Sequence, residues 1–174
     1  MTSTSPAASL ADPFYYLANF QFVLSWVAER HGDLLGDEEQ AFLTAFAALP
    51  RASRALLVRM VMRRGEHFRT SKLVYPEISA ETGVDSENSA ETGDSEAALA
   101  PLVAAGLVEG DPVLPLETLF GQLRLPELRA ALADEVRAAG LPASLGKATL
   151  LDALAPRRLE ARPLSTWWPA APDR

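Results

Sequence analysis

Apolar side chains recur at spacings of three and four along most of this chain, the period of a helix with one face turned inward. Over 14–30 the period is carried by Leu17, Phe20, Leu24 and Val27, and Asn19, Gln21, Ser25 and Glu29 supply the only polarity. Asp12-Pro13 predicts the start of this helix, with Asp as N-cap and Pro at the first helical position. His31-Gly32 predicts its end, with Gly32 at the position after the C-cap. A second helix is predicted over 37–48, opened by Asp37-Glu38-Glu39 at its positive end and broken by Leu49-Pro50. A third follows over 52–64 and is closed by Gly65. The run 68–75 is short and β-branched, and Pro76 ends it.

Further helices are predicted over 96–105, 116–122, 126–139 and 147–154. Asp94 or Ser95 caps the first of these and Gly106 stops it, so Leu107-Val108-Glu109 reads as a short strand returning from the helix. The fold class is mainly α, with two or three short strands. Between these elements lies a polar stretch with a tandem copy: Ser79-Ala80-Glu81-Thr82-Gly83 recurs as Ser89-Ala90-Glu91-Thr92-Gly93, each followed by Asp-Ser-Glu. A ten-residue duplication in a polar loop reads as an insertion that the fold tolerates.

The 174 residues suit one domain or two small ones, and 48% of them are hydrophobic, enough for a core without staples. The absence of cysteine excludes disulfides, thiol catalysis, zinc thiolate sites and iron–sulfur clusters. Residues 1–10 carry no basic segment ahead of an apolar run, and no stretch approaches a membrane span, so a cytoplasmic protein is expected. Lys+Arg total 16 against 23 Asp+Glu, a formal charge of −7, which on its face argues against a nucleic-acid ligand.

Position reverses that inference. Arg51, Arg54, Arg59, Arg63, Arg64, Arg69 and Lys72 face a single acid, Glu66, within 51–72. From 73 to 123 the chain holds acids and no base, most of them within 77–96. A basic segment hidden in an acidic total is the footprint of a phosphate-binding face. Arg59 and Arg63 sit four residues apart, and such like charges repel on a helix unless something neutralises them. DNA phosphate is one candidate and an internal ion pair with the acidic triplet of the second helix is the other. Arg63, Arg64, Arg69 and Lys72 continue past the helix end, where internal partners are scarcer, which favours phosphate.

Catalytic chemistry finds no footing. His31 and His67 lack a cluster of acids at ligand spacing, and His31 serves a last helical turn well. Gly-x-Ser-x-Gly and a glycine-rich phosphate loop are both missing. A restriction-type nuclease core needs an acid two residues before a lysine, but Lys72 and Lys147 are preceded there by Thr70 and Leu145.

The spacing Arg59, Arg63-Arg64, Phe68, Lys72-Leu73, Tyr75, Glu77-Ile78 closely resembles the signature of Fanconi-anaemia-associated nucleases of the VRR-NUC type. Tyr15-Tyr16-Leu17-Ala18-Asn19-Phe20 and Asp33-Leu34-Leu35 with Glu38-Glu39 resemble the bacterial branch. The resemblance covers roughly 14–154, with a gap at the duplicated loop. It implies a winged-helix-like DNA-binding unit over 12–111, with its polar insertion at 79–93, and a SAP-like helix–loop–helix over 112–156. A disordered start (1–11) and a tail toward a missing C-terminal part (157–174) complete the expected organisation. Leu128-Arg129 opens the SAP-like element, Gly140-Leu141-Pro142 turns it, and Gly146-Lys147-Ala148 precedes Leu150-Leu151.

The implied activity is metal-dependent hydrolysis of branched or 5′-flap DNA in repair, with Mg or Mn held by a nuclease domain that this chain lacks. The chain itself is expected to hold no cofactor and to be inactive alone. Its expected partners are DNA, through backbone contacts, and the nuclease region of the same protein, at the bacterial nucleoid and away from any membrane. The phosphate-contacting residues are expected to be Arg59, Arg63, Arg64, Arg69 and Lys72, extended by Arg129, Lys147, Arg157 and Arg158. Trp167-Trp168 fits either an interface with the missing part or a tail folded back on the domain. Two other functions stay open on the residues alone: a stand-alone winged-helix regulator, and an interaction module whose basic segment pairs with the acidic loop.

Overall fold

The computed structural model describes residues 12–82 and 93–171. The start expected to be disordered (1–11) lies outside them, as does most of the duplicated loop. The described chain divides into two compact units. One takes in the described residues up to Glu66 together with Thr70–Val108; the other takes in His67–Arg69 and the residues from Glu109 onward.

The first unit is built from α1 (Tyr15–His31), α2 (Asp37–Ala48), α3 (Arg51–Val61), α4 (Pro76–Thr82) and α5 (Gly93–Ala104). Its centre is α3, where Ala52, Ser53, Ala55, Leu56, Leu57, Val58 and Met60 are all buried. Leu73, Ile78 and Leu102 close over it, each no more than 2% exposed. Asp12 does cap the chain entry, its Oδ1 accepting the Phe14 N–H at 2.9 Å, though α1 itself begins at Tyr15. Gly32 keeps right-handed helical dihedrals and passes into a 3-10 turn at Gly32–Leu34, so it does not act as a left-handed stop. Nor does Ser95 cap α5. It lies inside that helix, buried, and its hydroxyl donates to the Leu73 carbonyl.

Two expectations fail for backbone reasons. The third helix stops at Val61 rather than 64, because the reversal ending in Gly65, at φ +93°, takes up 62–64. The strand at 107–109 does not form. Gly106 (φ +69°) ends α5 in a left-handed turn, with the Gly106 N–H bonded to Val103 O and the Leu107 N–H to Leu102 O, both at 3.0 Å. Those bonds tie the chain to the helix it leaves, in the Schellman pattern. Among the described residues the first unit is helical and contains no strand pair, in keeping with the mainly α class expected.

The second unit holds β1 (Val113–Leu114), α6 (Leu116–Gln122), α7 (Leu125–Ala131), α8 (Ala133–Ala138), α9 (Lys147–Leu154), β2 (Arg162–Pro163) and the short α10 (Leu164–Trp167). The predicted helix over 126–139 is broken at Leu132 (φ −108°, ψ 22°), which gives α7 and α8. Leu119, Leu128, Leu132 and Leu154 are fully buried at the centre of its core. Gly140, at φ +62°, turns the chain after α8. β2 pairs antiparallel with β1, Val113 opposite Pro163 and Leu114 opposite Arg162. Residues 162–167 are thereby part of this unit's core rather than a tail: Trp167 is 3% exposed and its Nε1–H donates to Leu114 O at 3.0 Å. Asp111 accepts from both the N–H and the hydroxyl of Ser165 at the start of α10.

Candidate nucleic-acid interface

A cation can grip a phosphate only if its charge is still available, so the acceptor each basic side chain meets decides its use. A carboxylate neutralises it; a backbone carbonyl orients it and leaves the charge in place. The nine sequence-predicted contacts sort cleanly on this criterion.

Arg59 is closed. Its Nη2 and Nε donate to Glu77 Oε1 at 2.6 and 3.1 Å, and its guanidinium lies 4.0 Å from the Tyr16 ring centre and 5.2 Å from that of Tyr75. The Tyr16 hydroxyl donates to the same Glu77 oxygen at 3.1 Å. Burial pulls the Arg59 pKa down, but the hydrogen bonds to Glu77 and Tyr16 outweigh it and the net shift is upward. Burial would raise the Glu77 carboxyl, and Arg59 overrides it to hold that group below the usual carboxylate range. The Tyr16 hydroxyl, mainly through burial, is pushed up to about 12. The internal partner is thus Glu77 of α4, not the acidic triplet of α2. Arg51 makes a similar but longer contact, 3.4 Å to Glu81.

Arg63, four residues on, keeps its charge. Its Nη1 donates to the carbonyl of Lys72 at 2.9 Å, and its guanidinium is 5.1 Å from the Tyr75 ring. That bond brings the end of α3 and the 3-10 turn Thr70–Lys72 together, so Arg63, Arg64 and Lys72 form one exposed basic group. Among the described residues, neither the Arg64 nor the Lys72 side chain has an acidic or carbonyl partner. Repulsion between Arg59 and Arg63 is relieved because only one of them carries free charge.

In the second unit Arg69 is closed, like Arg59. It makes a two-pronged contact with Glu127, both N···O distances 2.9 Å. Glu127 also accepts the Arg124 N–H at 2.6 Å across the first turn of α7, and Arg69 chiefly holds its carboxyl below the usual range. The phosphate role expected of Arg59 and Arg69 therefore meets a physical obstacle: each guanidinium already lies on a carboxylate. Their acids stand 18 and 58 residues away in sequence, beyond the reach of spacing arguments.

Three of the other predicted second-unit cations are exposed and carbonyl-bound. Lys147 Nζ donates to Leu123 O at 2.8 Å, Arg129 to Leu145 O at 3.0 Å and Arg157 to Ala138 O at 3.3 Å. Each bond ties one helix to the end of another while leaving a positive charge at the surface. Arg158 has no such tether among the described residues and sits at φ 47°, a left-handed conformation that side chains other than Gly seldom adopt. Sequence reasoning passed over Arg54 as one more base. Its Nε is buried without a hydrogen-bond partner, beside an apolar groove.

Among the described residues no three or more His, Asp or Glu side chains gather where they could hold a metal ion. No described helix is long and apolar enough to cross a membrane.

Comparison with known proteins meets the same division. The family model described as "FAN1, HTH domain" matches residues 14–109, and that of the Fanconi anemia-associated nuclease SAP domain matches 113–167. A Fanconi-associated nuclease 1 homolog from Pseudomonas aeruginosa is 48% identical over 163 residues, covering 94% of this chain and 26% of its own length. The homolog from Oryza sativa subsp. japonica is 39% identical over 64 residues, 37% of this chain and 7% of its own. In structure, the chain is similar to paFAN1 bound to 5′-flap DNA with a gap, at TM-score 0.77 and 45% identity, over 95% of this chain and 27% of that one. The chain therefore spans about a quarter of the length of the bacterial relative it matches. With a family model covering more than half of its residues and a second covering most of the remainder, the chain belongs to the FAN1 family of Fanconi anemia-associated nucleases.

Proposed function

We propose that this chain is the DNA-holding region of a structure-specific repair nuclease, gripping the backbone of 5′-flap or branched DNA while hydrolysis is carried out by a part of the protein outside these residues. The observation that carries it is the survival of charge on seven of the nine predicted contacts: Arg63, Arg64, Lys72, Arg129, Lys147, Arg157 and Arg158. These cations lie in the stretch that is similar to a protein crystallised on flap DNA. None is poised as a bidentate base reader on a recognition helix, and the backbone is what such a set would hold. The divalent metal, Mg or Mn, belongs in this reading to the nuclease region.

A stand-alone regulator fits less well. Base readout needs an exposed recognition helix, whereas α3 buries all but a few of its eleven residues. The test is the salt dependence of binding to a gapped 5′-flap duplex. With four to six phosphates contacted, log K should fall against log salt with a slope of about −4 to −5. Affinity that does not change with salt overturns the proposal, and a strong preference for one base sequence restores the regulator.

A further inference from the structure

The 3-10 turn Thr70–Lys72 carries one of the exposed cations and is anchored at each end. Behind it, Leu73 is 2% exposed and its carbonyl accepts the Ser95 hydroxyl. Ahead of it, Arg69 makes its two-pronged contact with Glu127, the two side chains only 13% and 21% exposed. A bidentate pair fixes direction as well as distance, because the planar guanidinium fork meets the carboxylate edge to edge. Glu127 is itself held, since it accepts the Arg124 N–H in the capping box that opens α7.

The turn depends on such anchors. It is a three-residue 3-10 piece closed by the Leu73 N–H on Thr70 O at 3.0 Å, and one short turn is weak without support from its flanks. Two cations depend on it in turn. Lys72 lies on it, and the Lys72 carbonyl accepts the Arg63 guanidinium at 2.9 Å, so a displaced turn moves Lys72 and releases Arg63.

We propose that Arg69 and Glu127 are positioning residues for the phosphate grip: their pair holds the leading end of the turn and so keeps Lys72 and Arg63 in place, with neither residue touching DNA. The consequence for binding rests on the DNA-holding reading; the anchoring of the turn does not.

Charge and position predict different signs. Counted as charges alone, Glu127→Gln should tighten DNA binding and Arg69→Leu should weaken it. A positioning pair requires both to weaken it. Glutamine also serves at the capping position, so α7 keeps its first turn. Each variant should bind a gapped 5′-flap duplex about tenfold more weakly, with a salt slope smaller by about 1. Adding Lys72→Gln to either should cost little more, because that contact is already lost. In the free chains, hydrogen exchange at the Leu73 amide should quicken about tenfold while the amides of α9 exchange as in the parent. Tighter binding by Glu127→Gln, with the parent still salt-dependent, overturns the positioning role and leaves the DNA-holding reading standing. A parent whose binding ignores salt sinks that reading and the phosphate role with it; quickened exchange at Leu73 would then still support the pair as the anchor of the turn. Unchanged exchange at Leu73 in both variants overturns the proposal in either case.

Discussion

Arg59 in the first unit and Lys147 in the second show two ways of placing a cation. Arg59 is held between two tyrosine rings and closed on Glu77, so it stabilises the fold and offers no charge outward. Lys147 is held by the Leu123 carbonyl and keeps its charge at the surface while tying α9 to the end of α6. The first unit divides the tasks between Arg59, which supports structure, and Arg64 and Lys72, which stay exposed with their charge, while Arg63 does both. The second unit combines them, because Arg129, Lys147 and Arg157 each brace a helix end with a group that still bears charge. Counting basic residues therefore misjudges both units. The identity of the acceptor decides what each charge can do.

The comparison is broken most directly at Glu77. Its side chain is 11% exposed and that of Arg59 30%, so Glu77→Ala strands a guanidinium that is largely out of water. We expect a loss of about 2 kcal/mol, less than for a fully buried pair because solvent reaches Arg59. A urea titration would read this as a lower midpoint at unchanged slope. The folded variant should bind flap DNA at least as tightly as the parent, since one positive charge is released. Weakened binding with stability intact would mean that Arg59 or Glu77 belongs to the interface after all.

A smaller effect separates the two units. Lys147→Met removes both the carbonyl bond and the surface charge, so it should cost about 1 kcal/mol of stability and also reduce the salt slope by about 1. Lys72→Gln should reduce the slope by the same amount and leave stability within about 0.5 kcal/mol. Parallel urea and salt titrations of the two variants check this. Equal stability losses would erase the distinction between a tethered and an untethered cation.

Much of this arrangement was legible in the sequence, and the parts that were not share a cause. Helical periodicity places α1, α2, α6 and α9 closely, because each is a local pattern bounded by an acid-rich turn, a glycine or a proline. The segment 59–78 carried the family resemblance, and the FAN1 HTH match includes it. Its internal chemistry stayed hidden: Glu77 stood in the family signature without an assigned partner, and nothing local ties it to Arg59 rather than to solvent. Glu127 is further still from Arg69 in sequence. The strand expected at 107–109 failed because the same Gly106 that signals a helix end also bends the chain back onto that helix. Trp167 stayed open between an interface and a folded-back tail because β1, which it bonds to, lies 53 residues earlier.

The smallest expected effect is also the most selective, because acid acts on one kind of acceptor and not the other. Glu77 and Glu127 both have carboxyls held below the usual range, Glu77 by Arg59 against the opposing effect of burial and Glu127 chiefly by Arg69. A carboxyl depressed in the folded state binds protons more readily when unfolded. Its contribution is therefore complete above the ordinary carboxylate pKa of about 4.3 and is lost as pH falls through the lower folded value. The carbonyl tethers of Arg63, Arg129, Lys147 and Arg157 have no titrating acceptor and persist through that range. Urea midpoints followed from pH 6 downward should fall below about pH 4, and Glu127→Gln should flatten its share of that fall. If Glu127→Gln leaves the acid limb as steep as before while Glu77→Gln flattens it, the closed pair at Arg69 is a surface contact of little consequence.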